Sequence, residues 1–359
     1  MAPNKKAVVE VQFNWIFILI AGALILFLFS SIILKQKSTA DSTAQTTLLK
    51  DITSIAVGSE TTAGVTNELE LSKASISFGC NTIRIGQKSQ PLQQMAIFSP
   101  STAQTPLIIH TREWSLPFRV TNVVYLSSPK IRYVLIGDST LAKQINKSMP
   151  EKFLEDYYEK TTDYTSFLST PPQKDNHIRI ILFKGGSYTD TTTLKNQLFS
   201  KYALLTNKET SLLIVDGSQN TGDIEFYSKG KTSWDKQDTV PPTTFHYLKE
   251  EMLVGAIFTD TYEQYQCIQS NMLKKLRTVS DIYDKRRHSL FTNTTAPHML
   301  VRCNSDYKDS TAGGQAAISL NTLKTSSNLD NLFAAAYGPT IGLATINKDL
   351  ERSSCPLLY

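Results

Sequence analysis

Residue types that usually mark a metal or redox centre are scarce in this sequence. Its 359 residues include four cysteines and five histidines. No two cysteines form a C-x-x-C pair and no two histidines are spaced H-x-x-x-H, although such spacings are typical of zinc sites and dithiol redox motifs. We therefore expect neither a bound metal nor any other cofactor.

Motifs of nucleotide binding and of nucleophilic catalysis are missing as well. No G-x-x-x-x-G-K-[ST] loop occurs, and the glycine pair at 185–186 is too short for a dinucleotide-binding fingerprint. The segment GGSYT at 185–189 lacks the last glycine of a nucleophile elbow. These absences favour a protein without catalytic activity, but they do not decide the point.

Charge of one sign is not concentrated in the chain. There are 37 Lys and Arg against 32 Asp and Glu, which gives a formal net charge of +5. A nucleic-acid-binding domain usually has a basic stripe or face, and here the basic residues are dispersed, so we expect no nucleic-acid partner. The densest cluster, DKRRH at 284–288, fits a solvated helix face better than a phosphate site.

One long hydrophobic run occupies residues 13–34, FNWIFILIAGALILFLFSSIIL. About 20 apolar residues in a helix cross a hydrocarbon layer of about 30 Å, and a helix pairs its own backbone groups in lipid. A secretory signal usually has a shorter core of ~7–15 residues. The run therefore predicts a retained transmembrane helix at 13–34 after a short cytoplasmic segment at 1–12, with the lipid bilayer as partner. A cleaved signal and a buried soluble helix are the alternatives.

The orientation of this span is predicted from the residues that follow it. Two lysines flank the run closely on each side, so the count of basic residues does not choose a side. All four cysteines lie beyond the run, which suits disulfides in an oxidising space, and N-x-S/T triplets occur at Asn146 and Asn293. We expect a single-pass cell-membrane protein whose domain at 67–359 lies outside the cytoplasm.

Four cysteines allow three pairings, and their spacing does not select one. We expect Cys267–Cys303, which would tie a long helix to the start of the next one. We also expect Cys80–Cys355, which would hold the C-terminal tail against the first strands. Four buried thiols are the alternative.

The periodicity of apolar residues changes along the chain and divides it into sections. Helical spacing predicts that the span continues as an amphipathic stalk at 35–58. Short alternating runs predict a β-rich section at 67–130, and apolar strands alternating with helices predict a partly parallel α/β core at 131–228. Helical patterns fill 246–359, and Pro150 predicts the start of a helix. The expected fold class is therefore mixed α/β.

Polar residues follow three predicted strands of the α/β core. Ligands of such sheets usually bind at the carboxyl ends of the strands, so we expect Asp138, Ser187, Asp216 and Ser218 to form a ligand-binding crevice. The aspartates would act as a base or hold a cation, and the serines would donate to an anion at a helix start. These residue types are also common in turns for conformational reasons alone.

A basic pair and a small residue precede the apolar run, and a glutamate lies near its start: Lys5, Lys6, Ala7 and Glu10. This opening resembles the N-termini of archaeal type IV pilin-like proteins. The resemblance implies that Glu10 takes part in assembly by neutralising a neighbour's terminal amine in an apolar setting. The wider chain, with YEQYQC and the ending CPLLY, is similar to uncharacterised archaeal single-pass membrane proteins, which implies an architecture and no activity.

Two functions follow from these features. The first is a membrane-anchored protein of structural or interaction type, such as a pilin-like or cell-surface assembly component, with other membrane or surface proteins as partners. The second is an extracytoplasmic enzyme or small-ligand receptor that uses the strand-end crevice. The two differ in whether Asp138, Ser187 and Asp216 share one pocket.

Overall fold

The structure is a computed structural model that describes residues 5–59, 61–69, 75–92, 95–169, 177–237, 245–294, 303 and 307–359. A long N-terminal helix is followed by two small antiparallel-rich sheets, a partly parallel sheet and a group of C-terminal helices. The predicted mixed α/β class is confirmed.

The N-terminal helix α1 is continuous from Lys5 to Ser59 and contains 55 residues. It has no proline, and Gly22 is its one glycine before the last turn, so nothing in the sequence breaks the backbone hydrogen bonds. Among the described residues, α1 is the one helix that is long and apolar enough to cross a membrane. Its apolar side chains from Trp15 to Leu34 are exposed to solvent, which indicates that this part of α1 has no partner within the described chain.

Two four-stranded sheets follow α1. One has the strand order β1-β7-β8-β5 and the other β4-β3-β2-β6. The strands are β1 (Thr66–Leu69), β2 (Ser75–Gly79), β3 (Thr82–Ile85), β4 (Lys88–Pro91), β5 (Ile97–Phe98), β6 (Thr102–Gln104), β7 (Leu107–Ser115) and β8 (Arg119–Ser127). Alternate residues of β2 and β3 are buried, as expected for strands with one face on a core.

The next section is a seven-stranded sheet with the order β10-β9-β11-β12-β13-β14, and β15 also pairs with β13. Strands β10, β9, β11 and β12 are parallel, and β13 is antiparallel to β12. The elements are β9 (Ile131–Ile136), α2 (Thr140–Ser148), β10 (Leu154–Tyr158), α3 (Thr161–Ser169), β11 (His177–Phe183), α4 (Thr191–Lys201), β12 (Thr210–Gly217), β13 (Thr221–Lys229), β14 (Trp234–Lys236) and β15 (Phe245–Leu248).

Helices cover both faces of this sheet, which explains why its central strands are apolar on both sides. Ile178, Ile180 and Leu182 of β11 belong to the core cluster that includes α3 and α4. Ile181 and Phe183 belong to the opposite cluster, which includes α2 and the C-terminal helices. The α/β section is therefore a three-layer arrangement.

The helix predicted to start at Pro150 is wrong. Helix α2 ends at Ser148, and residues 154–158 form the edge strand β10, paired in parallel with β9. The segment LEDYY has the charged residues of a helix surface, but an edge strand also tolerates charge. Asp156 accepts a hydrogen bond from Arg132 of β9 at 2.5 Å, so the carboxylate has a partner across the strand pair.

The C-terminal helices are α5 (Lys249–Phe258), α6 (Tyr262–Thr294), α7 (Gln315–Thr325), α8 (Leu329–Tyr337) and α9 (Leu343–Arg352). Every residue from Met252 to Phe258 is buried. The reason is that α5 contacts β5, β7 and β8 of the first section as well as β13 of the large sheet. It joins the two sections into one hydrophobic core.

The cysteines form the disulfides Cys80–Cys267 and Cys303–Cys355, so the predicted pairs Cys267–Cys303 and Cys80–Cys355 are wrong. The prediction placed the C-terminal tail on the first strands. The tail instead lies on the C-terminal helices, where Leu358 N donates to Asn347 Oδ1 at 2.8 Å. This position brings Cys355 to Cys303 and leaves Cys80 to pair with the first turns of α6.

Candidate functional site

The strand order of the large sheet creates a crevice between β9 and β11. From β9 the chain passes through α2 to β10 on one side, and then through α3 to β11 on the other side. Ligands of doubly wound sheets bind where the order reverses in this way, at the carboxyl ends of the two strands. Asp138 follows β9 and Ser187 lies four residues after β11, so both belong to this end of the sheet.

Asp138 and Ser187 are in direct contact. The backbone N–H of Ser187 donates to Asp138 Oδ2 at 3.0 Å. The contact needs glycine at 186, which has φ +56°, because an added Cβ there would lie 2.0 Å from Asp138 Oδ1. The predicted association of Asp138 with Ser187 is thus present in the structure.

The charge of Asp138 is stabilised by this contact. Burial raises the pKa of Asp138, but the hydrogen bonds from Ser187 outweigh burial and the pKa lies below its ordinary value. The carboxyl is therefore ionised at neutral pH and is a poor proton donor. Nearby, Lys143 Nζ lies 2.9 Å from Glu159 Oε1, so these two charges neutralise each other.

The crevice is an open cavity of about 470 Å³, and its lining includes Asp138, Lys143, Glu159 and Ser187. An ionised carboxylate and nearby hydroxyl groups suit a small polar ligand. Within the described residues, no group of three or more His, Cys, Asp or Glu side chains is arranged to hold a metal ion.

Asp216 and Ser218 do not line this crevice. The side chain of Asp216 is 58% exposed and lies 3.6 Å from Lys184 Nζ. Ser218 lies in the hairpin turn between β12 and β13, where its N–H donates to Thr221 O at 2.9 Å. The four predicted ligand-binding residues therefore divide into a pair at the crevice and a pair outside it.

The expectation that Ser187 and Ser218 lie at helix starts is wrong. Ser218 precedes strand β13, because the segment DGSQNTG turns the chain into an antiparallel hairpin instead of a helix. Ser187 lies in a turn closed by the Gly185–Tyr188 bridge. The starts of the two neighbouring helices α2 and α4 are capped by Ser139, whose Oγ accepts from Ala142 N, and by Asp190, whose Oδ1 accepts from Thr193 N.

Glu10, the predicted assembly residue, lies in the first part of α1. Its side chain is outside the part of the chain whose side chains the structure describes. The predicted role of Glu10 therefore stays a prediction.

The end of α1 is part of the domain core. Leu48, Leu49, Ile52 and Ala56 are buried in one cluster with residues of both small sheets. Their helical spacing indicated an amphipathic segment in the sequence, but it did not indicate what covers the apolar face. The structure shows that the segment predicted as a stalk at 35–58 ends inside the folded domain.

A second cleft, larger than the crevice, lies at the amino end of β11, with a volume of about 620 Å³. His177, Ser211 and Asp260 are among its lining residues. The sequence patterns did not predict this cleft. The available signal was Arg179, a charged residue inside the apolar strand HIRIILF, which has no place in an ordinary core.

Comparisons with family models, with curated proteins and with solved structures find no match to this chain.

Proposed function

We propose that this protein is a single-pass cell-membrane protein whose folded domain lies outside the cytoplasm and serves assembly or interaction with other membrane or surface proteins. The observation that carries the proposal is the double role of α1. Its apolar side chains from Trp15 to Leu34 are exposed, and its last turns are part of the domain core.

The placement of the domain is supported by its two disulfides. Cys80–Cys267 and Cys303–Cys355 account for the cysteines of the chain. Structural disulfides form and persist in oxidising compartments and are rare in the cytosol. A domain outside the cytoplasm agrees with both bonds.

The way α1 enters the domain favours a mechanical or assembly role. From Leu34 to Leu48 the helix continues for 14 residues, about 21 Å at ~1.5 Å per residue, without a break. The domain is thereby held at a set distance and angle from the apolar segment. A tethered enzyme needs only a flexible linker, whereas an assembling subunit needs this fixed geometry.

The pilin-like version of the proposal assigns Glu10 to the assembly contact. In a bundle of apolar helices, the Glu10 carboxylate would pair with a neighbour's terminal amine. Without this carboxylate the neighbour's terminal ammonium would be buried unpaired, which is costly, so Glu10→Ala should abolish assembly in native membranes, as measured by native gel electrophoresis and crosslinking. Assembly that is unchanged in this variant would remove the pilin version and leave the anchored interaction protein.

An insertion experiment tests the fixed geometry itself. A flexible insert of seven Gly and Ser residues between Lys37 and Ser38 should leave membrane insertion and the disulfides intact but abolish the native assembly. A helix-forming insert of seven residues is the matched control, because a heptad rotates the following helix by only ~20°. Unchanged assembly in the variant with the flexible insert would contradict the proposal.

The alternative function is an extracytoplasmic small-ligand receptor or enzyme that uses the crevice between β9 and β11. It is supported by the contact between Asp138 and Ser187 at the point where the strand order reverses. Asp216 does not contribute to this pocket. Asp138→Asn would weaken ligand binding under this alternative and leave assembly unchanged under the preferred one.

A further inference from the structure

The cleft at the amino end of β11 is lined by several parts of the chain. His177, Ser211 and Ser228 come from the large sheet, and Lys208 comes from the loop before β12. Asp260 lies between α5 and α6, Glu263 lies in the first turn of α6, and residues 101–102 of the first section complete the lining. A cavity of about 620 Å³ has the size of an ordinary small-molecule site.

A row of polar residues runs across four adjacent strands on one face of the large sheet. Tyr133, Arg179, Ser211 and Ser228 are in register on β9, β11, β12 and β13. Residues in register point to the same face of a sheet, so Arg179 lies beside Ser211, which lines the cleft. This row therefore extends from the cleft into the protein interior.

Arg179 is buried and its hydrogen bonding is incomplete. Its Nη2 donates to Ala256 O at 3.1 Å and to Thr259 O at 2.6 Å at the end of α5. Its Nε and Nη1 have no hydrogen-bond partner among the described residues. A buried guanidinium with unused donors is costly, and here it leaves positive charge close to Asp260, which lines the cleft.

The part of the cleft lining that connects α5 to α6 is acidic and is held in place by hydrogen bonds. Asp260 Oδ1 accepts from Ser101 N at 2.8 Å and from Ser101 Oγ at 2.6 Å. Gln237 holds the same junction, because its Nε2 donates to Asp260 O and its Oε1 accepts from Tyr262 N. Glu263 lies one turn further along the chain and is exposed to the cleft.

Groups of both charges surround the cleft. The buried guanidinium of Arg179 lies close to Asp260, because its Nη2 donates to the carbonyl oxygen of the preceding residue, Thr259, so these two charges offset each other. The exposed Lys208, from the loop before β12, and the exposed Glu263, from α6, remain in the lining as charges of opposite sign. His177 adds no charge at neutral pH, because burial lowers its pKa. Its Nδ1 bonds to Lys208 O at 2.9 Å, which fixes the loop that carries the lysine.

We propose that this cleft binds a small zwitterion, such as a free amino acid or a dipeptide. The carboxylate of the ligand would bind to Lys208 and its ammonium group to Glu263. A purely anionic ligand would leave Glu263 unpaired, and a purely cationic one would meet the charge of Lys208. A zwitterion pairs with both exposed charges at once.

Equilibrium dialysis of the full chain in lipid nanodiscs tests this proposal. The probes are the free amino acids and glycylglycine, each at 1 mM, on the order of weak extracellular affinities. At least one probe should be retained. Lys208→Gln and Glu263→Gln, both at exposed positions, should each weaken its binding by about tenfold, since each removes one charge-assisted contact.

Two matched variants and two half-ligands complete the test. Lys231→Gln and Glu351→Gln change the same charges at exposed positions outside the cleft lining, and they should bind as the natural sequence does. Acetate and methylammonium should bind far more weakly than the retained zwitterion. Retention of no probe, unchanged binding in both cleft variants, or acetate or methylammonium binding as tightly as the zwitterion would each overturn the proposal. None of these outcomes bears on assembly through α1.

Discussion

Cys80 is bonded to Cys267 across 187 residues of sequence, which joins the end of β2 to the first turns of α6. The bond sits among amide side chains, because Asn271 Nδ2 donates to Asn81 Oδ1 at 2.8 Å beside it. It links the first section of the domain to the helical section that follows the large sheet.

Removal of this bond should lower the stability of the domain. We expect the Cys80→Ala/Cys267→Ala double variant to lose ~2–5 kcal/mol of unfolding free energy, because a disulfide that closes a long loop restricts the unfolded chain. Urea unfolding of the full chain in nanodiscs measures the loss. Peptide mapping of the non-reduced protein checks the pairing independently, and a Cys80–Cys355 peptide would contradict the structure.

The packing of α1 into the domain predicts a second stability effect. Ile52 is fully buried, so Ile52→Ala should lower the unfolding free energy by ~2–5 kcal/mol. Val57→Ala is the control on the same helix, because Val57 is 54% exposed, and it should change stability by less than ~0.5 kcal/mol. Equal effects of the two substitutions would indicate a free stalk that does not belong to the core.

The crevice predicts a difference between two glycines of similar conformation. Gly186 and Gly64 have φ of +56° and +75°, and an added Cβ meets Asp138 only at Gly186. Gly64→Ala should therefore cost about 1–2 kcal/mol for backbone strain alone, while Gly186→Ala should cost more and raise the pKa of Asp138. Thermal unfolding compares the two variants, and an equal cost would mean that the contact of Asp138 with residue 187 is not rigid.

The ion pair between Arg112 and Glu250 predicts an acid-dependent loss of stability. The two side chains are 2.9 Å apart. Burial raises the pKa of Glu250, but the hydrogen bonds from Arg112 and Ser148 outweigh it, so the pKa lies below its ordinary 4.5. A carboxyl of this kind contributes stability above its unfolded pKa and loses it as the pH falls. Unfolding free energy measured below about pH 4.5 should therefore fall less steeply in Glu250→Gln.

The neighbouring glutamate predicts the opposite sign. Burial raises the pKa of Glu251, and its Oε2 has no hydrogen-bond partner among the described residues. A carboxyl whose pKa is raised on folding loses stability as the pH rises through its unfolded value. Glu251→Gln should therefore be more stable than the natural sequence at pH 7 and lose this advantage near pH 4, in the same unfolding series. A destabilised Glu251→Gln at pH 7 would mean that the carboxylate has an ionic partner.

The elements predicted best from the sequence are those with long periodic patterns. The strands β11 and β12 and the helices α4 and α6 follow from apolar runs whose period does not change over many residues. The strand β10 was missed because its five residues carry two acidic side chains, and only its pairing with β9 shows that it is an edge strand. Short elements depend on neighbours that are distant in sequence.

The candidate site was predictable only in part, for a related reason. Asp138 and Ser187 meet because β9 and β11 are adjacent, which the alternation of strands and helices already suggested. Ser218 lies in a hairpin because β13 runs antiparallel to β12. The local sequence pattern of a strand does not indicate whether it pairs in parallel or antiparallel. The charged residues of the cleft around Asp260 come from parts of the chain that are far apart in sequence, so a local motif cannot identify them.

Helix α1 is continuous between its apolar part and its buried last turns, and this has a consequence for the orientation of the domain. With α1 in a bilayer as proposed, a helix tilt of about 20° displaces the base of the domain laterally by about 7 Å over the ~21 Å of exposed helix. The domain rotates by the same angle, because Ile52 and its neighbours fasten it to the helix. Membrane thickness affects the tilt of such helices. It would therefore also affect the direction in which the cleft and the crevice face.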